Sequence, residues 1–355
     1  MKKVHNFSAG PGILPKEVLR KASEAVINFN GLRLSLLEIS HRSKDFEEVM
    51  EKARGLVKEL LGLGNDYDVL FLQGGASLQF YMVPMNLLKT KAAYINTGTW
   101  ATEAIADAKK VGNIEVIASS EDKKFSYIPK KYTIPKDADY LHFTSNNTIY
   151  GSQWKEFPKT DVPLVCDMSS DIFSKRIDAS KFSLIYAGAQ KNMGPAGTTM
   201  VLFKKDAVGK TGRDLPKMLD YVQNAKKDSM LNTPPVFAVY VSMLTLEWIK
   251  NNGGLEWTEK LNEMKANTFY SELDHNPLFV GPIEKEFRSQ MNATFLLKNE
   301  KLEPEFDKML KEAGISGLRG HRSVGGYRAS MYNALPLESV KVLTSVMREM
   351  ANKFA

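Results

Sequence analysis

The sequence predicts an α/β fold with a large, mostly parallel β-sheet domain and a smaller α+β C-terminal domain. Between residues 16 and 252, short apolar runs alternate with longer amphipathic runs, which is typical of repeated strand-helix units. Polar residues, glycines or helix-opening residues follow each apolar run, as expected where a strand ends. Beyond Gly253-Gly254, strand and helix patterns mix, which indicates a second unit.

Five apolar runs are predicted to be strands of one sheet. Each is short and is bounded by residues that favour turns or helix starts. The runs cover residues 69–72, 92–95, 140–143, 164–166 and 184–186.

Helices are predicted from apolar periodicity and from the glycines that end it. Residues 45–61 form an amphipathic pattern ended by Gly62, and residues 239–250 form another ended by Gly253-Gly254. Residues 255–273 resemble a long connecting helix. The later elements are predicted as strands at residues 293–297 and 327–331 and as helices that begin near Pro304 and Pro336.

Length and composition are those of an ordinary globular protein, with 355 residues, 43% of them hydrophobic and 25% charged. We expect a large domain of residues 16–255 and a small domain formed by residues 1–15 and 256–355. No run approaches the roughly 20 apolar residues of a membrane helix, and no leader pattern opens the chain. We therefore expect a cytoplasmic protein without a membrane partner.

Cysteine and charge usage exclude several classes of protein. The single cysteine, Cys166, rules out an internal disulfide, a multi-cysteine zinc site and thiol-pair redox chemistry, so we expect no metal. The net charge of +7 is spread over scattered lysine doublets instead of one basic tract. Such a surface favours solvation over nucleic-acid binding and leaves a small anionic substrate open.

An acid and a lysine follow two neighbouring predicted strands. Ligands of open α/β sheets lie beyond the carboxyl ends of the strands, where Asp167 and Lys191 both fall. A lysine amine that bonds an aldehyde and a carboxylate that keeps a pyridine nitrogen protonated suit pyridoxal phosphate (PLP). On spacing alone, a turn-capping Asp167 and a solvated Lys191 are the simpler interpretation.

Three further strand ends carry residues suited to the same cofactor. Gly74-Gly75-Ala76-Ser77 lies between a strand and a helix, where free backbone N–H groups stabilise phosphate, although glycine pairs there also make plain turns. Trp100 could stack on a flat ring or pack in the core. The polar segment around Thr148 could bond the cofactor or form a turn.

Taken in order, seven segments resemble fold-type-I PLP enzymes of the class V aminotransferase group, and within it the branch specific for phosphoserine. The resemblance covers nearly the whole chain, and the ordered set is far more specific than any one motif. The segments are NFSAGPG (6–12), ISHRS (39–43), GGAS (74–77), NNTIYG (146–151), AGAQKN (187–192), NTPP (232–235) and GHRSVGGYRAS (320–330).

The resemblance implies a role for each residue of a cofactor site. Lys191 would bond the cofactor aldehyde, Asp167 would hold the pyridine nitrogen, Trp100 would cover the ring face and Thr148 would lie beside the ring hydroxyl. The phosphate would be held by Ala76, Ser77 and Gln190, joined by Asn232 and Thr233 from the second subunit of a homodimer. Some family members carry arginine where this chain has Ser77, so that phosphate contact would be weaker or differently made.

The same resemblance implies an acidic substrate that carries phosphate. Arg328 would bind the α-carboxylate, while His41, Arg42, His321 and Arg322 would bind the phosphate of phosphoserine or the side-chain carboxylate of glutamate. Taken singly, these residues are more often surface ion-pair partners. The implied reaction moves the amino group of L-glutamate to 3-phosphohydroxypyruvate, giving O-phospho-L-serine and 2-oxoglutarate in serine biosynthesis, with a possible second role in pyridoxine biosynthesis.

Four other functions are weighed against this one. A cysteine desulfurase needs an exposed nucleophilic cysteine, whereas Cys166 lies in an apolar strand. A class V enzyme acting on serine or alanine with glyoxylate would not need two His-Arg pairs. A non-catalytic relative would not need Lys191 and Asp167, and a nucleotide-binding dehydrogenase would need the G-x-G-x-x-G motif that this chain lacks.

Overall fold

A computed structural model describes residues 3–355 of the chain as a series of strands and helices. The strands within these residues are β1 (His5–Asn6), β2 (Tyr67–Leu72), β3 (Lys91–Asn96), β4 (Asn113–Ser119), β5 (Leu141–Thr144), β6 (Leu164–Asp167), β7 (Phe182–Gly188), β8 (Thr199–Lys204), β9 (Phe279–Val280), β10 (Asn292–Leu297), β11 (Ile315–Ser316) and β12 (Tyr327–Ser330).

The helices cover both faces of the main sheet and surround the C-terminal strands. The α-helices within the same residues are α1 (Lys16–Ile27), α2 (Lys44–Leu61), α3 (Gly75–Leu87), α4 (Thr99–Ala108), α5 (Tyr221–Ala225), α6 (Val236–Asn251), α7 (Gly254–His275), α8 (Glu303–Glu312) and α9 (Leu337–Phe354). None of these helices is both long and apolar enough to cross a bilayer.

Seven strands form the main sheet, in the order β2-β8-β7-β6-β5-β3-β4. Only β8 runs opposite to the other six strands, so the predicted mostly parallel α/β sheet is confirmed. The five predicted strands correspond to β2, β3, β5, β6 and β7. The two strands that were not predicted are the edge strand β4 and the antiparallel strand β8.

The main sheet separates two apolar cores because successive side chains of a strand point to opposite faces. One core packs α1, α2 and α6 against one face of the sheet, with Phe71, Phe143 and Cys166 among the strand residues. The other packs α3, α4 and α5 against the opposite face, with Tyr94 and Val165 from the strands.

A third core lies outside the main sheet. The antiparallel strands β12, β10 and β9 pack with α7, α8 and α9, and Phe7 from the N-terminal segment joins them. The parallel pair of β1 and β11 explains how residues near the N-terminus reach this unit. The boundaries at residues 15 and 255 stay a prediction, which the separate core supports.

A buried lysine connects α7 to the end of β12. The Lys265 ammonium is fully buried and donates hydrogen bonds to the carbonyls of Met331 and Tyr332, at 2.9 and 2.7 Å. The Tyr332 hydroxyl in turn donates to the Ala9 carbonyl at 2.5 Å. These bonds hold the N-terminal segment beside the loop that carries Lys191, where the Gly12 amide donates to the Gln190 carbonyl at 2.7 Å.

Candidate active site

The functional residues predicted after β3, β5, β6 and β7 lie at one edge of the sheet. These four strands are parallel, so their carboxyl ends face the same side. The strand register places Thr144 opposite Asp167 and Asp167 opposite Tyr186. The loops that follow the strands therefore meet at the carboxyl end of β6, where ligands of open α/β sheets bind.

Lys191 lies in the turn that follows β7 and points into this site. Its ammonium nitrogen Nζ donates to the hydroxyl of Thr148 at 2.7 Å and lies 5.9 Å from the centre of the Trp100 ring. Burial lowers the pKa of Lys191 to about 8, against the opposing effect of the Asp167 carboxylate. The charge of Arg328 lowers this pKa further. A lysine in these surroundings gives up its proton more readily than an exposed one.

Asp167 ends β6 and is only 4% exposed. Its Oδ1 accepts hydrogen bonds from the backbone N–H and the hydroxyl of Ser169, at 2.9 and 2.6 Å. The Ser169 hydroxyl oxygen accepts from the Gly188 amide at 3.1 Å, which ties the carboxylate to the end of β7. Burial raises the pKa of Asp167, while Lys191 and Ser169 oppose the shift. The carboxylate is thus oriented by neutral donors, so that a cation placed beside it would gain a strong charge interaction.

Trp100 lies in the first turn of α4 and presents its ring towards Lys191. The indole nitrogen Nε1 is buried and has no hydrogen-bond partner among residues 3–355. Buried polar atoms normally have partners, so an unpaired donor at this position indicates a bound group or water. The flat ring and the free donor together suit a heteroaromatic ligand that carries polar atoms.

The N-terminus of α3 has the geometry expected of an anion site. Gly74 and Gly75 adopt positive φ angles of 90° and 69°, which turn the chain from β2 into the helix. Ala76 and Ser77 then occupy the first turn, whose backbone N–H groups have no partners within a helix. The Gln190 side chain folds back over Gly188, where an added Cβ would lie 2.7 Å from Oε1 of Gln190. Free N–H groups and the helix dipole make this end of α3 favourable for phosphate.

Asn232 and Thr233 lie beside the segment that leads into α3. The Asn232 side chain donates to Oε1 of Gln73 at 2.9 Å, and the Gln73 side chain donates to the Thr233 carbonyl at 3.1 Å. Within one chain, both residues therefore contact the residue before Gly74. Their phosphate contact across a subunit boundary stays a prediction.

Arg328 joins β12 of the C-terminal unit to the loop that carries Thr148. Its Nη1 donates to the Thr148 carbonyl at 3.0 Å, and its Nε is buried without a partner among the described residues. Burial lowers the pKa of Arg328. The guanidinium therefore keeps donors available for an anion close to Lys191.

The two His-Arg pairs lie on loops outside the contacts of Lys191. His41 has a buried, unpartnered Nε2 in the described chain, whereas Arg42 is exposed. His321 forms a 2.7 Å hydrogen bond with Ser323, and Arg322 is exposed. No hydrogen bond within residues 3–355 joins either pair to Lys191 or Arg328, so their role in substrate binding stays a prediction.

Three residues of the site were not found from the sequence. Asn192 accepts a 2.9 Å hydrogen bond from the Asn333 amide, which fixes the residue after Lys191 to the C-terminal unit. Tyr332 holds the N-terminal segment, and Asp171 is a second buried carboxylate near Asp167. The sequence could have indicated Asp171, because it is an acidic residue only four positions after Asp167, which ends β6.

The residues at this site fit PLP. The Asp167 carboxylate, the Trp100 ring and the N-terminus of α3 suit a pyridine nitrogen, a ring face and a phosphate. Lys191 lies close to Trp100 and interacts with the charge of Asp167. Residues 3–355 contain no group of three His, Cys, Asp or Glu side chains able to hold a metal ion. Cys166 is fully buried and its pKa is raised well above the usual value, which does not suit a desulfurase nucleophile.

Comparison with known proteins agrees with the geometry. The chain matches the family model described as aminotransferase class-V over residues 4–343. It is 63% identical to the phosphoserine aminotransferase of Flavobacterium psychrophilum over 99% of each chain. The solved phosphoserine aminotransferase of Bacillus circulans subsp. alkalophilus is 44% identical, with a TM-score of 0.96 over 99% of both chains.

A solved structure with PLP bound is also similar. The phosphoserine aminotransferase of Trichomonas vaginalis is 34% identical, with a TM-score of 0.92 over 98% of this chain and 100% of that one. The fold, the lysine-centred site and these matches agree. The chain therefore belongs to the PLP-dependent class V aminotransferases, and within them to the phosphoserine aminotransferases.

Proposed function

We propose that this enzyme transfers the amino group of L-glutamate to 3-phosphohydroxypyruvate, giving O-phospho-L-serine and 2-oxoglutarate. The observation that carries the proposal is that Lys191 and Arg328 both donate hydrogen bonds to Thr148. This arrangement brings an amine that can transfer a proton close to a guanidinium that has a free donor. Sequence identity of 63% to an enzyme named for phosphoserine supports the choice of substrate.

Bound PLP supplies an aldehyde that bonds to amines and a protonated ring that withdraws electrons from the substrate α-carbon. We assign Asp167 to keep the proton on the ring nitrogen, because its buried carboxylate is already oriented by Ser169. Trp100 is assigned to cover one ring face and exclude water from it. Ala76, Ser77 and Gln190 are assigned to the phosphate, together with Asn232 and Thr233.

Lys191 is assigned to move the proton from the substrate α-carbon. Burial lowers its pKa to about 8, so the neutral amine is more accessible near neutral pH than it is for an ordinary lysine. Only the neutral amine can accept a proton. Thr148 limits the positions that Nζ can adopt, because its hydroxyl accepts a 2.7 Å hydrogen bond from that atom.

Replacing Arg328 by lysine should raise KM for glutamate and for phosphoserine alike. Arginine offers a planar pair of donors to a carboxylate, and the lysine ammonium cannot reproduce that geometry. We expect kcat/KM to fall about 10- to 100-fold for both substrates, since hydrogen bonds to charged groups contribute about 1.5–3 kcal/mol. Steady-state kinetics with each amino donor measures this.

The matched control is Arg348→Lys, because Arg348 is exposed and forms an ion pair with Glu272. This variant should behave like the parent enzyme. If kcat/KM of Arg328→Lys fell for phosphoserine and did not change for glutamate, the assignment would be contradicted, because the α-carboxylate is common to both substrates.

A direct assay separates this function from that of a serine or alanine aminotransferase that uses glyoxylate. The purified enzyme with PLP is given phosphoserine and 2-oxoglutarate, and glutamate formation is measured. Serine or alanine with glyoxylate is tested at the same concentrations. The proposal expects turnover with the first pair only. Equal or faster turnover with the second pair would replace it by the alternative.

We further propose that the active form is a homodimer. Three apolar side chains in the segment before His41 are exposed: Ile27 by 81%, Leu34 by 49% and Leu37 by 57%. Exposed apolar side chains of this kind are expected to be covered by a second copy of the chain. Sedimentation equilibrium should give twice the 39.8 kDa chain mass, and Leu37→Asp should shift it towards the single-chain mass.

Met218→Asp, which changes an exposed methionine elsewhere on the surface, should leave the mass unchanged. A single-chain mass for the parent enzyme would contradict the dimer. The cytoplasmic location and the pyridoxine role stay predictions.

A further inference from the structure

A second buried carboxylate lies near the site and has no role in the chemistry described so far. Asp171 follows Asp167 by four residues and is only 6% exposed. Its Oδ1 accepts a hydrogen bond from the hydroxyl of Ser145, and its Oδ2 accepts one from Nε2 of Gln153 at 3.1 Å. Burying a carboxylate is unfavourable unless such donors compensate it.

Ser145 and Gln153 are the two ends of one loop, residues 145–153, so that Asp171 bridges the base of this loop. The backbone closes the loop as well, because the Trp154 amide donates to the Ser145 carbonyl at 2.9 Å and the Asn147 amide donates to the Ser152 carbonyl at 2.8 Å. Asp171 adds a charged side chain that contacts both ends of the loop at its base.

The same loop presents Thr148 to both functional cations. The Thr148 hydroxyl accepts from Lys191 Nζ at 2.7 Å, and its carbonyl accepts from Arg328 Nη1 at 3.0 Å. A movement of residues 145–153 would therefore displace the contacts of the proton-transferring amine and of the guanidinium together.

Asp171 also contributes its charge to the site. Burial raises the pKa of Asp171, opposed by Lys175 and by the hydrogen bonds from Ser145 and Gln153. The charged or titratable groups that face it are Lys155, Lys175, Lys191, Cys166 and Asp167. Its negative charge favours the protonated form of Lys191, as that of Asp167 does.

We propose that Asp171 is a positioning residue for transamination: its carboxylate joins both ends of the loop 145–153 and so fixes Thr148 between Lys191 and Arg328. The proposal rests on the function assigned above to Lys191 and Arg328. It does not depend on which amino acid is the substrate.

Asp171→Leu is the sharpest test, because it keeps a side chain of similar size and removes both acceptors and the charge. The Ser145 hydroxyl then keeps the Asp167 carbonyl as its acceptor, at 3.1 Å, and Nε2 of Gln153 loses the acceptor that it has in Asp171. Gln153 cannot simply turn its amide over, because its Oε1 already accepts from the Gln290 amide at 3.0 Å. Both ends of the loop are therefore released from this position.

Three measurements on the holoenzyme report the release. The value of kcat/KM with phosphoserine should fall at least about tenfold, because small misplacement of reacting groups is costly. Backbone amides of residues 145–153 should exchange hydrogen at least about tenfold faster. The pH midpoint of the visible absorption change of the bound cofactor should move down, because a negative charge that favours protonation has been removed.

Asp171→Asn separates the hydrogen bonds from the charge. The asparagine oxygen can accept from Nε2 of Gln153 while its NH2 group donates to the Ser145 hydroxyl oxygen, whose own proton goes to the Asp167 carbonyl. Both ends of the loop stay joined without the buried charge. We expect most of kcat/KM and the slow exchange to return relative to Asp171→Leu. Asp178→Asn, the same change at an exposed site that contacts Ser180 and Lys181, should match the parent.

Hydrogen exchange of the loop and absorption of the bound cofactor are both measured without substrate, so these two results do not depend on which substrate is assigned. Parent-like exchange, absorption midpoint and kcat/KM in Asp171→Leu would overturn the proposal, as would an Asp171→Asn enzyme no better than Asp171→Leu. If Asp171→Leu does not fold, Ser145→Ala removes only one donor to Asp171. Faster loop exchange in Ser145→Ala would then support the proposal, and unchanged exchange would overturn it.

Discussion

Replacing Lys191 by alanine is expected to lower the rate of transamination by at least about 10⁴-fold. General acid-base catalysis alone contributes about 10²- to 10⁴-fold, and Lys191 is also the residue predicted to bond the cofactor aldehyde. Thr148 and Trp100 lie against Nζ, and no other lysine is hydrogen-bonded to Thr148 in residues 3–355. Single-turnover and steady-state rates with phosphoserine measure the loss.

Chemical rescue distinguishes a lost amine from a damaged fold. A small primary amine such as methylamine should restore part of the rate to Lys191→Ala, because it can accept the proton in the space that the side chain leaves. Lys181→Ala removes an exposed lysine that pairs with Asp178, and should keep the parent rate. Full activity of Lys191→Ala without added amine would contradict the assigned mechanism.

Replacing Asp167 by asparagine is expected to lower kcat by about 10²- to 10³-fold, the usual range for losing one preorganised electrostatic contact. Asparagine keeps an oxygen for the two hydrogen bonds from Ser169, so the local fold should survive. It carries no negative charge to hold a proton on the ring nitrogen, so the ring would withdraw electrons less strongly. Rates of each half-reaction, measured separately, should both fall.

The effect should be confined to kcat, because Asp167 is assigned to the cofactor and not to the substrate. Asp178→Asn is again a suitable control, since it makes the same chemical change at an exposed carboxylate. An Asp167→Asn enzyme with the parent kcat would mean that the proton on the ring nitrogen is held by another group or is not needed.

The central sheet and its lysine site could be predicted because both depend on local pattern. Apolar runs mark buried parallel strands, and the residues just after them must lie at the carboxyl edge of the sheet. Asp167 and Lys191 were found in this way, although spacing alone favoured a simpler interpretation of both. The ordered set of family-like segments decided between the interpretations.

Two strands of the main sheet were not predicted, and the two cases differ. β4 lies at the edge of the sheet with mostly exposed or half-buried residues, so its pattern lacks the continuous apolar run of a buried strand. β8 is buried and apolar, so its run at residues 200–203 carried the same signal as the strands that were predicted. What its own residues do not report is that it runs antiparallel between β2 and β7, because direction depends on the connection and the partner strands.

Contacts between distant segments explain the remaining omissions. The role of Asp171 depends on its hydrogen bonds with Ser145 and Gln153. The role of Tyr332 depends on its hydrogen bond with Ala9, which is 323 positions away. Helix α3 begins at Gly75, because Gly74 in the left-handed region allows the chain to turn there. Such features depend on tertiary packing, which periodicity in one segment does not report.

The most direct test of Lys191 chemistry on a phosphorylated substrate is the visible absorption spectrum of the purified enzyme with PLP. The enzyme is titrated with phosphoserine and, separately, with serine. We expect a visible band from cofactor bonded to Lys191, lost on addition of phosphoserine and retained with serine. An equal response to serine would contradict the phosphoserine assignment, and the absence of any such band would contradict the role of Lys191 itself.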